Sequence, residues 1–471
     1  MADSRLRSGH APLDEVLGGG LPGHGITLIM GLPGSGKTIL AQQYAFHNAD
    51  FERPVVYFST LSEPMEKIVR FGQTLEFFDA STVGKSVFYE DLGQAASGSG
   101  LGAVGEQVAD TLKRRHPGLI IIDSFKALRP FAESSADYRR FLNQLAGRMT
   151  AFPAASMWIG EYEPGDAATL PEFAVADAIL DLGTVRVGQR DMRYLEVRKL
   201  RGSGFRSGQH GYRLSQQGLH LFPRLADIPT ASGYALGSQR VACGVPALDT
   251  MLAGGLWPGA ATLIAGPSGA GKTVLGLHFI RAGAALGEPG VIASLQENPT
   301  QLQRMLIGFG WPAEDPAIEF MYRSPVDIYI DEWVYDLLRT IERTGARRVL
   351  VDSLLDLQMA APDDTRFREF MYSLSQRLSR QDISLLMTTE VPELFGTHRL
   401  SEFAGSHLAD NVIMLFYYHD QGHVKRALSV IKTRASSHDP AVRGFAISPT
   451  GITISDPIPA AAPPPLGGRA N

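Results

Sequence analysis

Two octapeptides carry the most evident chemistry in this 471-residue sequence: GLPGSGKT, from Gly31 to Thr38, and GPSGAGKT, from Gly266 to Thr273. Both satisfy G-x-x-x-x-G-K-[ST], the pattern of a loop that cradles phosphate. Gly31, Gly34, Ser35 and Gly36 in the first, and Gly266, Gly269, Ala270 and Gly271 in the second, give a backbone that can curl its N–H groups around phosphate oxygens. The positive end of the following helix would stand behind them. Lys37 and Lys272 are expected to reach the β- and γ-phosphates of ATP, and the hydroxyls of Thr38 and Thr273 to ligate Mg²⁺. Asp123 and Asp352 each end an apolar run, where the carboxylate that orients the metal must stand.

Other charged residues recur around this frame. STLSEP supplies Glu63 and SLQENP supplies Glu297, each after the second apolar run of its copy. A neighbouring parallel strand would bring such a carboxylate near the γ-phosphate, within range to polarise water. Glu161 and Glu390 follow a further strand and are candidate sensors. Lys199 with Arg201, and Lys432 with Arg434, are spaced to put both cations on one face of a strand. Displayed together near the end of each copy, they could stabilise phosphoryl charge in a neighbouring subunit.

The elements that must position these residues form an internal repeat. LDEVLGGGLPG and LDTMLAGGLWPG precede the two phosphate loops, which lie 235 positions apart. Asp123 and Asp352 are 229 apart, and Lys199 and Lys432 are 233 apart. A period this long is a duplicated domain, not a solenoid. Short apolar runs (ITLIM, VVYF, LIII; ATLIA, VIAS, VLV) alternate with amphipathic stretches, which predicts an α/β fold with mostly parallel central sheets. The domains are expected at 1–230 and 241–455, followed by a Pro/Ala-rich, disordered or extended tail at 456–471. The Gly/Ser-rich stretch from Gly93 to Gly105, present only in the first copy, reads as a mobile loop.

Composition narrows the function classes. Hydrophobic residues make up 44% and charged residues 20%, as in globular proteins. The formal net charge of −5 argues against a nucleic-acid-gripping surface. Cys243 is the single cysteine, so no intramolecular disulfide can form, and an ordinary buried role is expected for it. With neither a long apolar span nor a signal-peptide core in the sequence, a cytoplasmic protein is expected.

Taken together, the G-x-x-x-LD-x-x-x-x-GGL opening, both phosphate loops, the Asp-Ser pairs and the K-x-R near each domain's end resemble the KaiC family of tandem RecA-like P-loop ATPases. The resemblance runs from about residue 8 to 455. It implies rings of six subunits with ATP between neighbours, Lys199, Arg201, Lys432 and Arg434 acting across the interface, and Phe309 stacking near the base. Clock members of the family carry two adjacent glutamates where this sequence has Ser62-Glu63 and Gln296-Glu297. They autophosphorylate an adjacent Ser and Thr in the second domain; here Ser406 aligns with the Ser, while His407 replaces the Thr. The tail differs from the segment that binds a regulatory partner, so a signalling partner is expected without its identity. Two other readings remain open at this point: a RecA/RadA-like DNA-binding recombinase, and a nucleotide-gated scaffold with little turnover.

Overall fold

A computed structural model describes residues 5–61, 64–225, 239–391 and 409–458. The chain divides into two compact units, Met1–Arg224 and Leu225–Asn471, the first ending a few residues before the expected boundary at 230.

In unit 1 a two-stranded ribbon pairs β1 (Arg5–Leu6) with β2 (Leu21–Pro22), on either side of helix α1 (Ala11–Val16). The central sheet contains β3 (Ile26–Gly31), β4 (Val55–Ser59), β5 (Val87–Asp91), β6 (Leu119–Asp123), β7 (Ala155–Gly160), β8 (Ala178–Val187), β9 (Arg190–Leu200), β10 (Gln209–Ser215) and β11 (Gly218–Phe222). Its spatial order is β11-β10-β9-β8-β3-β7-β6-β4-β5. The six strands from β8 to β5 run parallel, and the last three in sequence fold back antiparallel beyond β8. Helices α2 (Lys37–His47), α3 (Met65–Gly72), α4 (Gly93–Arg115), α5 (Ser135–Ala151) and α6 (Glu172–Val175) complete the unit.

Successive side chains of the central strands enter opposite cores. Tyr57 and Ile121 join one cluster, while Val56, Phe58, Ile120 and Ile122 join the other. A strand buried on both faces must be apolar at every position, which is why these segments read as unbroken runs instead of alternations.

Unit 2 repeats this topology. Its sheet is built from β12 (Ala261–Gly266), β13 (Gly290–Ser294), β14 (Ile318–Tyr322), β15 (Arg348–Asp352), β16 (Ser384–Glu390), β17 (Asn411–Asp420), β18 (His423–Thr433), β19 (Arg443–Ser448) and β20 (Gly451–Pro457). The order β14-β13-β15-β16-β12-β17-β18-β19-β20 matches unit 1 strand for strand. Its helices are α7 (Pro246–Met251), α8 (Lys272–Ala284), α9 (Pro299–Gly308), α10 (Ile330–Thr344), α11 (Leu354–Ala360) and α12 (Asp364–Arg380). Both Asp-Ser peptide bonds, Asp123–Ser124 and Asp352–Ser353, are cis. The last strand continues to Pro457, three residues beyond Ile454, where the Pro/Ala-rich composition takes over.

One expectation is corrected. The stretch from Gly93 to Gly105 is not a loop but the first half of α4, interrupted at Gly100, whose φ is 72°. Glycine costs about 1 kcal/mol per helical position relative to alanine. Here Leu101, Val104, Val108 and Leu112 fall on one face after the break at Gly100, and together with Ala96 they are buried in the core of unit 1. Packing of that face outweighs the poor local propensity.

Candidate nucleotide sites

Each phosphate loop leaves the carboxyl end of the strand at which the sheet order reverses. β3 lies between β7 and β8, and β12 between β16 and β17, so each loop opens onto the crevice that parallel α/β sheets use for ligands. Gly36 and Gly271 stand at the N-cap positions of α2 and α8 with φ of 88° and 106°, a left-handed backbone that glycine adopts without strain. A Cβ on Gly36 would also press Leu214 of β10 at 2.8 Å, and one on Gly271 would press Ile447 of β19 at 2.7 Å. Ser35 and Ala270 are buried, so their loops offer a cavity only backbone groups at those points.

Strands late in each domain clamp the loops. In unit 1 the Tyr212 hydroxyl donates to the Ser35 carbonyl at 2.6 Å. In unit 2 the Tyr417 hydroxyl donates to the Ser268 carbonyl at 3.2 Å, and Arg426 Nε to the Gly269 carbonyl at 3.2 Å.

In unit 1 a cavity of about 900 Å³ is lined by Gly34, Gly36, Lys37, Thr38, Asp123 and Glu161, with Ile68, Phe71, Leu75 and Leu214 as apolar walls. In unit 2 the equivalent cavity, about 220 Å³, is lined by Gly269, Gly271, Lys272, Thr273, Gln296, Glu297, Asp352, Ser353 and Glu390. The structure therefore brings together the loop lysines, threonines and strand-end aspartates in both copies, with Glu297 joining them in the second. Thr38 Oγ1 donates to Asp123 Oδ2 at 2.8 Å, and Thr273 Oγ1 to Asp352 Oδ2 at 2.7 Å. A hydroxyl and a carboxylate side by side form a hard-oxygen donor set, which fits Mg²⁺ shared with phosphate oxygens.

Burial pushes Lys37 and Lys272 below the usual lysine range. Glu161 and Asp123 oppose that shift in the first site; Glu390, Asp352 and Glu297 oppose it in the second. The amines donate to loop carbonyls, Lys37 Nζ to Leu32 at 2.9 Å and Lys272 Nζ to Pro267 at 2.9 Å. Burial, and then the charge of Asp352, raise the Glu297 carboxyl above its ordinary value, and Glu297 Oε2 is buried without a hydrogen-bond partner. A partly desolvated carboxylate facing this cavity can act as a proton acceptor.

Lys199 and Lys432 lie near the ends of β9 and β18, and Arg201 and Arg434 are just past those strands. Lys199 Nζ donates to the Phe173 carbonyl at 3.3 Å, and Lys432 Nζ to the Ala409 carbonyl at 2.8 Å. Arg201 pairs with Asp177 at 3.4 Å, and Arg434 with Asp410 at 3.5 Å. All four cations therefore stand at the amino-terminal edge of the parallel strands, opposite their own phosphate loops. Burial, and then the adjoining arginine, hold both lysines below their ordinary value.

Phe309 is not among the residues lining the unit 2 cavity, whose apolar side chains are Val274, Met305 and Ile447. It packs against Trp311, with ring centres 5.1 Å apart, and against His278 at 5.9 Å. Glu63 and Ser406, together with Ser62 and His407, fall outside the described residues.

The sequence reading missed three sets of residues. Lys126, three positions after Asp123, lines the unit 1 cavity and donates to Asp166 at 2.9 Å and to the Glu161 carbonyl at 2.7 Å. The two strand-end aspartates are held from opposite neighbours: Tyr57 of β4 donates to Asp123 Oδ2 at 2.7 Å, whereas Thr388 of β16 donates to Asp352 Oδ1. Asp356 on α11 is the third, and no motif marks it.

The sequence profile of the family described as "ATPase: KaiC" matches residues 6–226 and again 241–458. The chain belongs to the KaiC family of ATPases. The KaiC profile thus covers both units and nearly all the described residues, so each unit is a nucleotide-binding ATPase domain of this family. Curated KaiC relatives align over most of this chain and most of their own length. The chain is 28% identical to the circadian clock oscillator protein KaiC of Rippkaea orientalis over 470 residues, covering 96% of this chain and 89% of the relative. It is 27% identical to the protein of the same name from Picosynechococcus sp., covering 94% and 88%. For that of Synechococcus elongatus the identity is 27%, covering 97% and 90%. Among the described residues, no helix is long and apolar enough to cross a membrane.

Proposed function

We propose that this KaiC-family ATPase binds ATP with Mg²⁺ at both sites, hydrolyses it, and works as a six-subunit ring in clock-like or signalling regulation in the cytoplasm. One observation carries the reading: the loop lysine, threonine and strand-end aspartate come together twice, at equivalent points of two sheets with one topology. Thr38 with Asp123, and Thr273 with Asp352, would hold Mg²⁺, which supplies charge neutralisation at the phosphates when bound. Glu297, and Glu63 by its equivalent place in the sequence, accept the proton of the attacking water. Lys199, Arg201, Lys432 and Arg434 are supported as cross-subunit cations by their position on the edge away from their own loops. The domains are read as 1–230 and 241–455. The recombinase reading is not favoured, because the KaiC profile covers both copies and the net charge is −5.

The test is nucleotide binding and turnover in loop variants. Lys37→Ala and Lys272→Ala should each remove one class of bound ATP, and the double variant both. Stoichiometric ATP on the double variant would sink the assignment. Ser406 is the proposed autophosphorylation position of unit 2. Mass spectrometry after incubation with ATP should find phosphate there, absent in Lys272→Ala and retained in Lys37→Ala. An unmodified Ser406 in a protein that turns over ATP would leave an ATPase without kinase activity.

A further inference from the structure

In the unit 2 site the residue before Glu297 is Gln296, whose counterpart in the first copy is Ser62. Gln296 lines the cavity together with Lys272, Glu297 and Asp352. Its side-chain amide is anchored: Nε2 donates to Asp356 Oδ2 at 3.0 Å and to Ser353 Oγ at 3.4 Å. Ser353 Oγ in turn donates to the same Asp356 oxygen at 2.6 Å. Carboxylate oxygens accept and an amide NH₂ donates, so this contact fixes which end of Gln296 faces α11. The carbonyl oxygen Oε1 takes no part in this anchor, so it is the end able to meet a water in the cavity that Gln296 lines. The offset that aligns Asp123 with Asp352 puts Ala127 where Asp356 stands, so unit 1 cannot build the same anchor.

We propose that Gln296 orients the attacking water in the unit 2 site, and that Asp356, bridged by Ser353, is the positioning residue that aims it. The proposal rests on the ATPase reading of this site. The water oxygen forms a bond to the γ-phosphorus while the bond to the β,γ-bridging oxygen breaks. The electron pair of the broken bond leaves with ADP, and the water's proton passes to the Glu297 carboxylate. An amide cannot take that proton, but its carbonyl oxygen can accept a hydrogen bond from the water and hold it in line. The local charge also accounts for an amide at position 296. A glutamate there would put a third carboxylate between Glu297 and Asp356, and like charges at such range repel.

The experiment uses the full-length chain carrying Lys37→Ala, so that turnover reports unit 2. ATP binding and hydrolysis are measured over a range of ATP concentrations. Gln296→Ala and Asp356→Ala should each lower kcat about tenfold or more while ATP affinity stays within about twofold, because water placement acts on the chemical step. Asp356→Asn still offers an oxygen to Nε2 and should retain most of the activity. Gln296→Glu should be impaired, and adding Asp356→Asn to it should restore turnover by relieving the repulsion. A merely structural contact would show no such rescue. Wild-type kcat in Gln296→Ala or Asp356→Ala overturns the proposal. So does a Lys37→Ala protein that binds ATP in unit 2 without turning it over, although nucleotide binding there would then stand. Failure of that protein to bind ATP in unit 2 brings down the underlying site reading instead.

Discussion

Mixing two impaired variants should restore hydrolysis if the K-x-R cations serve a neighbouring subunit. Strand register gives the geometry. Lys432 pairs with Val412 of β17, which pairs with Leu263 of β12, three residues before Gly266 at the mouth of the phosphate loop. At about 3.3 Å per residue and 4.8 Å between strands, Lys432 sits about 10 Å back along the sheet and about 10 Å to the side. Its amine points further from the loop, toward Ala409. In unit 1, Lys199, Ile179, Leu28 and Gly31 repeat this register residue for residue. Neither cation can touch a phosphate held by its own domain. Subunits carrying Arg434→Ala keep an intact Glu297 site, and subunits carrying Glu297→Gln keep an intact Arg434. Random equimolar rings therefore place both functional groups at about a quarter of their interfaces, in the head-to-tail arrangement of a cyclic ring. Subunits are mixed before ATP is added, and phosphate release is followed against each parent. Turnover should recover to about a quarter of the wild-type unit 2 rate, taken as the portion that Lys272→Ala removes. A mixture that equals the average of its two parents refutes the argument.

Two further outcomes follow from burial. Glu297 has its folded pKa raised above the ordinary 4.5, so its stabilising contribution is complete below that value and is lost as pH rises through the folded pKa. Glu297→Gln should therefore melt no higher than wild type at pH 4 and about 1–3 °C higher at pH 7, measured without nucleotide. A difference that does not change with pH would contradict this. Arg348 begins β15 with its side chain almost wholly buried, pairing with Glu288 at 2.8 Å and donating to the carbonyls of Ala242 at 2.7 Å and Phe279 at 2.9 Å. Unit 1 has Leu119 at that position. Arg348→Leu leaves the buried Phe279 carbonyl and the half-buried Ala242 carbonyl without their donor and should cost about 2–4 kcal/mol, read as a lowered unfolding midpoint of unit 2 with unit 1 unchanged. An unchanged midpoint would mean that the carbonyls find other donors.

The repeat, the α/β class and the phosphate-loop constellation were legible because each leaves a mark in sequence. Glycines at fixed spacing mark the loop, unbroken apolar runs mark doubly buried strands, and Asp123 and Asp352 close such runs. The α4 segment was misread for a physical reason. Its glycines favour a loop locally, and the burial of Leu101, Val104 and Val108 that decides the matter depends on β-strands distant in sequence. Tyr57, Thr388, Lys126 and Asp356 were invisible for a related reason: each acts by contact across elements and obeys no spacing. The Phe309 ring, placed near the base by resemblance, packs on Trp311 and His278, contacts that no spacing in the sequence announces.

The clamp over each phosphate loop has a consequence for synthesis. Tyr212 and Leu214, which hold the unit 1 loop, are translated about 175 residues after it, and Tyr417 and Ile447 follow the unit 2 loop by a similar length of chain. A nascent chain carrying only the first half of a domain has its glycine loop but nothing above it. Because domains emerge from the ribosome in order, the first site can be completed while the second is still being made. Nucleotide capture by the growing polypeptide should then occur in two steps, each timed by the appearance of a late β-strand and not by that of the glycine motif itself.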